Sequence, residues 1–138
     1  MDQSALECDL EIRRTLSAYC HACDDGEFDR LAEQFAPDGS FVFAGEIVTG
    51  RTALVQWFER TQTPKRRGKH LTTNTIIDLM GDRAHAVSDF VFLRMTEAGI
   101  TPAIAGRYLD DLRRVDGRWL IERREAAVMQ APPTSASV

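Results

Sequence analysis

The chain has little of what marks a membrane, nucleic-acid-binding or disulfide-stapled protein. No apolar run approaches the roughly 20 residues that a membrane-spanning helix needs. Positive charge is not in excess, since 17 Lys+Arg face 21 Asp+Glu for a net charge of −4. The molecule as a whole therefore offers no attraction for nucleic acid, whose phosphates reward clustered cations. Cysteine is scarce: three residues, an odd number, all in the first 23 positions, make no disulfide framework and fit reduced thiols. The opening MDQSALECDLEIRR lacks the basic-then-apolar order of a secretory leader, so a cytoplasmic protein is expected.

Two local features run against this background. Cys20-His21-Ala22-Cys23 has the spacing of half a zinc site, but no second pair supplies the other two ligands of a closed tetrahedral centre. Both thiols are read as helix-face packing, with no metal and no cofactor expected. Lys65-Arg66-Arg67-Gly68-Lys69, following Pro64, reads as a solvated loop rather than a patch for phosphate or RNA.

What is present is a folded domain's share of apolar residues, 43%, in 138 residues, enough to bury a core without staples. A single domain over 1–130 with a loose tail over 131–138 is expected. Leu6, Leu10, Ile12, Leu16, Tyr19, Cys20 and Cys23 recur mostly three or four apart, the stripe of an amphipathic helix. Asp24-Asp25-Gly26 interrupts it. A second stripe of Phe28, Leu31, Ala32 and Phe35 runs to the stop signal Pro37-Asp38-Gly39. Ser40 to Thr49 reads as a β excursion turning at Gly45, and Gly50 to Arg60 as a third helix carrying Leu54, Val55, Trp57 and Phe58. Beyond it β-formers dominate and turns recur, predicting long strands at about 69–80, 83–94, 100–115 and 118–129. Helices first and a long meander afterwards make an α+β fold. The expected form is a cone-shaped α+β barrel: N-terminal helices packed on a strongly curved, mainly antiparallel sheet around a ligand pocket.

The order and spacing of several short segments carry a resemblance. They are Tyr19-Cys-His-Ala-Cys-Asp24-Asp-Gly-Glu-Phe28-Asp-Arg-Leu31, Phe35-Ala-Pro-Asp38-Gly39, Gly50-Arg51, His70-Leu-Thr-Thr-Asn74, Gly106-Arg-Tyr108-Leu-Asp110 and Asp116-Gly117-Arg-Trp119. Over about residues 5 to 129 the chain resembles the SnoaL-like branch of the nuclear-transport-factor-2-like superfamily, whose folds are such cones. The resemblance specifies the fold and not a reaction, because that superfamily holds dehydratases, dehydrochlorinases, ketosteroid isomerases, polyketide cyclases, epoxide hydrolases and noncatalytic proteins.

Within it, Asp24 and His70 occupy the places where scytalone dehydratases and hexachlorocyclohexane dehydrochlorinases keep an Asp/His pair. The resemblance implies that the carboxylate orients the imidazole, which then takes the substrate proton. The chemistry is sound by itself: an imidazole's ordinary pKa near 6.5 lets it accept and return a proton around neutrality, and a positioned base contributes roughly 10²–10⁴-fold to rate. The bland alternative is an edge-strand histidine tied to Asp24 for structure alone.

If His70 points inward, strand alternation sends Thr72, Asn74 and Ile76 inward too, making Asn74 a polar anchor near the base. Tyr108, on one strand face with Gly106, Asp110 and Leu112, is a candidate donor to a substrate oxygen or else a core aromatic. Ser88 falls where scytalone dehydratases have a second histidine. Tyr19 matches the oxyanion-donating tyrosine of ketosteroid isomerases and Asp110 lies near their protonated acid, whereas Phe43 stands near their general base. Arg124 aligns with a dehydrochlorinase pocket arginine, with a surface ion pair as the alternative. Trp57 and Phe58 are candidate ligand contacts, with Phe90 and Phe92 as ligand contacts or packing.

These residues imply a cofactor-independent lyase acting on a small hydrophobic organic substrate. An isomerase, a cyclase or a noncatalytic binding module remain open beside it. Family resemblance further implies a homodimer through the exposed sheet face, with Val87, Val91 and Leu93 supplying apolar area.

Overall fold

Helix α1 (Gln3–Asp25) starts where the Asp2 carboxylate accepts the Ala5 N–H at 2.8 Å, satisfying one of the donors a first turn leaves open. In the computed structural model, which describes residues 2–134, α1 buries Ile12, Leu16, Tyr19, Cys20 and Cys23 along one face. Leu6 and Leu10, counted in the same stripe, lie in its projecting first turns and stay 50% and 57% exposed. Gly26, at φ +71°, ends the helix: its N–H reaches the Cys23 carbonyl and the Glu27 N–H the Ala22 carbonyl, the glycine-dependent close that satisfies orphaned carbonyls.

Helix α2 (Phe28–Glu33) is shorter than its apolar stripe. Phe35, expected as its last turn, instead opens strand β1 (Phe35–Phe43), because the Gln34 carbonyl accepts the Ile121 N–H at 2.8 Å and Phe35 pairs with Ile121. Pro37 accordingly lies inside a strand, at the point where the pairing register shifts between Phe35 and Ser40, a place where its missing N–H is tolerated. Ala44 and Gly45, both at positive φ, turn the chain into β2 (Glu46–Thr49). Helix α3 (Arg51–Thr61) follows. The long strands are β3 (Lys69–Met80), β4 (Arg83–Thr96), β5 (Gly99–Val115) and β6 (Arg118–Val128). Of the stretch read as a tail, 131–134 are exposed beyond the last strand, and 135–138 lie outside the described residues.

The six strands form one sheet in the order β2-β1-β6-β5-β4-β3. All neighbours are antiparallel except β1 and β6, which run parallel. In a flat sheet β1 and β3, four places apart, would stand about 19 Å from each other at the usual strand spacing. Here Phe41 and Phe43 of β1 and His70 of β3 line the same cavity, so the sheet curls. The helices cross its concave side.

Alternation along β4 is regular: Ala84, Ala86, Ser88, Phe90 and Phe92 are buried, and the residues between them are half-exposed on the convex side. On β3 the alternation breaks. A bulge puts Asn74 and Thr75 opposite Ser88 alone, with Asn74 at φ +54°, so the inward set changes from His70 and Thr72 to Thr75, Ile77 and Leu79.

Beneath the cavity, Asp110 and Arg124 face each other across β5 and β6. The guanidinium donates from Nε to Oδ1 at 2.7 Å and from Nη2 to Oδ2 at 2.9 Å, with both side chains fully buried. Its remaining nitrogen, Nη1, has no hydrogen-bond partner among the described residues. The charge is covered instead by ring faces, with Cζ 4.3 Å from the Tyr19 centroid and 3.8 Å from the Tyr108 centroid. Burial pushes the Arg124 pKa down, but Asp110, by charge and hydrogen bond, more than reverses this, so the guanidinium stays charged. Removing one partner strands the other charge in the core. Asp110→Ala is therefore expected to cost about 3–5 kcal/mol, and Asp110→Leu/Arg124→Met to recover most of it. Urea unfolding midpoints read both effects, and an unshifted midpoint in Asp110→Ala would show the pair to be energetically idle.

Candidate active site

Asp24 sits in the last turn of α1 and His70 at the start of the edge strand β3. Both Asp24 oxygens are engaged: Oδ2 accepts the His70 backbone N–H at 3.0 Å, and Oδ1 meets His70 Nδ1 at 2.5 Å. The two side chains are only 6% and 10% exposed. A carboxylate accepts, so Nδ1 is the donor, and in the neutral imidazole that leaves the lone pair on Nε2. The His70 ring packs against Phe92 at 4.6 Å between centroids and borders the cavity.

That cavity, about 370 Å³, lies within the sheet's concavity and is of a size usual for small organic ligands. Trp57 and Phe58 of α3 and Phe41 of β1 form a tight aromatic cluster on its wall, with centroid separations of 4.9 to 5.3 Å. Tyr19 and Tyr108 also face it, edge to face at 6.1 Å. Neither phenol hydroxyl has a hydrogen-bond partner among the described residues. Burial, more than any charge nearby, raises both phenol pKa values above the ordinary range. Arg124 behind the rings pulls the other way and is outweighed. Both hydroxyls keep their protons, as hydrogen-bond donors must.

The structure thus brings Asp24, His70, Tyr19, Tyr108, Trp57 and Phe58 to one place, and five expected residues elsewhere. Asn74 is exposed: the bulge turns its side chain to the convex face, where it donates to Asp89 Oδ2 at 3.1 Å. Ile76, expected inward with it, is 66% exposed for the same reason. Ser88 is sealed in the core, its hydroxyl 3.1 Å from that of Thr75. Asp110 and Arg124 pair with each other below the cavity floor and do not line it. Arg124 is not a surface residue either, because sequence neighbours Arg123 and Glu125 point to the opposite face of β6.

Several wall residues were missed. Phe41 and Phe43 stand two apart on β1, a signal hidden by reading β1 as a helix end and a brief excursion. Arg94 continues the inward series of Phe90 and Phe92, and Arg66 belongs to the basic run. Cys23 also touches the cavity, but burial pushes its thiol pKa up, which keeps it an unreactive wall group. Cys20 and Cys23 are buried whereas His21 points to solvent, so these three do not converge. No cluster of three or more metal-ligating side chains exists among the described residues.

A family model described as SnoaL-like domain matches residues 4–125. No match exists among curated proteins. Among solved structures, an Asp-to-Asn variant of a Mycobacterium tuberculosis protein of unknown function is 30% identical, with a TM-score of 0.88 over 93% of this chain and 75% of that one. A candidate scytalone dehydratase from Novosphingobium aromaticivorans is 25% identical, with a TM-score of 0.82 over 94% and 89% of the two chains. A Catenulispora acidiphila protein in complex with S-DNPA is 28% identical, with a TM-score of 0.76 over 90% and 95%. Solved structures of this kind are described by an NTF2-like, cystatin-like fold, in agreement with the expected cone.

Tyr19 and Tyr108 are the chain's two tyrosines, so phenolate absorbance reports on the cavity alone. Unfolded tyrosines lose protons through about pH 10, while the folded pair holds them. Stability is then intact below pH 10 and falls as pH rises beyond it. Absorbance should stay flat until the protein unfolds in alkali; a phenolate step near pH 10 with folded circular dichroism would contradict the assignment.

Proposed function

We infer, since the chain belongs to the SnoaL-like domain family, that it is a small-molecule enzyme of the lyase type in which His70, oriented by Asp24, is the general base. The observation that carries this reading is the His70 ring, engaged by Asp24 at Nδ1 alone and lining an aromatic cavity that also presents two unpartnered phenols. Nε2 takes a proton from a carbon next to a carbonyl, and the C–H electron pair passes to the carbonyl oxygen. Tyr19 and Tyr108 donate hydrogen bonds to that oxygen as its charge grows. The pair then returns to expel a hydroxide from the neighbouring carbon, and the imidazolium gives it the proton, so water departs. Asp24 stabilises the imidazolium between the two transfers.

Two relatives support a small-molecule role. One bears a dehydratase assignment and another is solved with a small molecule. An isomerase or cyclase would use the same base and differ in the atom that receives the electron pair. The first step can be tested apart from the leaving group. β-Hydroxy aryl ketones in D₂O are expected to exchange their α-protons, read by proton NMR, with His70→Ala and Asp24→Asn folded but slower by about 10²–10⁴-fold. Absence of exchange in ketones shown by calorimetry to bind, or unchanged exchange in His70→Ala, would leave a noncatalytic binding module.

The convex sheet face supports a homodimer. Register places Leu71 beside Val91, next to Leu93, and Ile76 beside Val87, next to Leu109, two apolar patches with side chains as exposed as Leu71 at 55% that flank the Asp89–Arg107 ion pair. Val87→Lys/Val91→Lys should convert a dimer to a folded monomer in sedimentation velocity. A wild-type monomer at high concentration would refute the interface.

A further inference from the structure

The cavity wall is apolar at its buried end and cationic at its exposed edge. Arg66, exposed, and Arg94, half-buried, both line it. Of the 13 other arginines, eight face a carboxylate within 3.9 Å. Arg66 and Arg94 have no carboxylate partner among the described residues, although acidic residues outnumber basic ones in the chain.

The basic run is solvated at Lys65, Arg66 and Lys69, as its composition suggests, but it is packed at Arg67 and Gly68. Arg67 donates from Nε to the Gln62 carbonyl at 3.1 Å and lies 5.5 Å over the Phe28 ring. Gly68 passes so close to β4 that an added Cβ would collide with the Leu93 carbonyl. Arg94 Nε donates to the Arg66 carbonyl at 3.1 Å, and its Cζ lies 5.3 Å from the Phe92 centroid. Phe92 is the ring that His70 packs on. The loop backbone is therefore held at Arg66, and Arg94, which shares the Phe92 ring with His70, keeps its terminal nitrogens without a partner among the described residues.

Unpaired guanidiniums in water would be unremarkable; two of them on one cavity, held by backbone contacts and next to an aromatic interior, describe a recognition site. A guanidinium fork matches a planar oxyanion with paired hydrogen bonds, and the aromatic wall accepts a ring face. We propose that the cavity selects an aromatic or alicyclic molecule carrying an oxyanionic substituent, carboxylate or phosphate, with the ring against Trp57, Phe58 and Phe41 and the anion on Arg66 and Arg94. This rests on the cavity assigned above and names its substrate class.

Isothermal titration of 2-naphthoate, 2-naphthyl phosphate and 2-naphthalenemethanol into the full chain tests it. At least one anion is expected to bind tenfold or more tighter than the neutral alcohol, and the tighter anion identifies the source. Arg66→Gln and Arg94→Gln should each lower the anion's affinity by about 10-fold or more, the worth of a hydrogen bond to a charged group, while the alcohol binds as before. If a variant fails to fold, the wild-type preference should still shrink with added salt. Equal binding of all three probes, failure of both anions to bind, or a preference that neither the variants nor salt diminish would overturn the proposal. The readout does not involve turnover: anion preference without proton exchange would sink only the lyase reading, and exchange without anion preference only the oxyanion edge.

Discussion

Everything that the cavity can do depends on one carboxylate gripping one residue at two points. Asp24 takes the backbone N–H of His70 with one oxygen and its ring nitrogen with the other, across 46 positions of sequence. The first contact secures the edge strand to the end of α1, and the second orients the imidazole. A carboxylate in the last turn of a helix lies at the negative end of the helix dipole, where it is disfavoured by roughly 0.3–1 kcal/mol. The basic side chain that normally occupies such a position is absent, and the unfavourable placement is offset by His70 itself. The backbone hydrogen bond alone would tie the strand to the helix; the engaged ring nitrogen also fixes the imidazole, which is what the proposed proton transfer requires.

A second carboxylate does a different job with the same chemistry. Asp110 neutralises Arg124 where no solvent reaches either group, and Arg124 in turn supports the undersides of Tyr19 and Tyr108. The pair is withheld from the cavity, and its influence passes through the rings. Burial keeps the phenols protonated, and the cation behind them tempers that shift without reversing it. One acid thus orients an imidazole at the wall, and the other anchors the cation behind the two phenols.

Much of this was legible in the residues. The spacing of Ile12, Leu16, Tyr19 and Cys23 predicts α1 and recurring turn residues the four long strands to within two residues, while the pairing of Asp24 with His70 came from the family resemblance. What escaped were effects of tertiary pairing. Phe35 has a helical neighbourhood, but a parallel partner 86 residues away claims its backbone. Strand alternation carried Asn74 and Ile76 inward, and one extra residue reversed it. Arg124, flanked by charges, looked like surface because its sequence neighbours occupy the other face of the sheet and its partner, Asp110, lies on another strand. Local pattern reports which way a side chain points only while pairing stays in register.

The composition of the wall also explains why polar groups must be few and well placed. Aromatic surface holds a ring by burial, which is strong and without direction, so a molecule bound by Trp57, Phe58 and Phe41 alone is free to turn. Orientation has to come from groups that distinguish one end of it from the other. The phenols stand at the buried end, the guanidiniums at the exposed edge, and His70 borders the same space. With both ends tethered, rotation is lost and a limited set of carbons can reach Nε2. Since holding reactants in place is itself a large part of rate enhancement, selectivity and catalysis in such a cavity would have a common origin in the spacing of those two anchors.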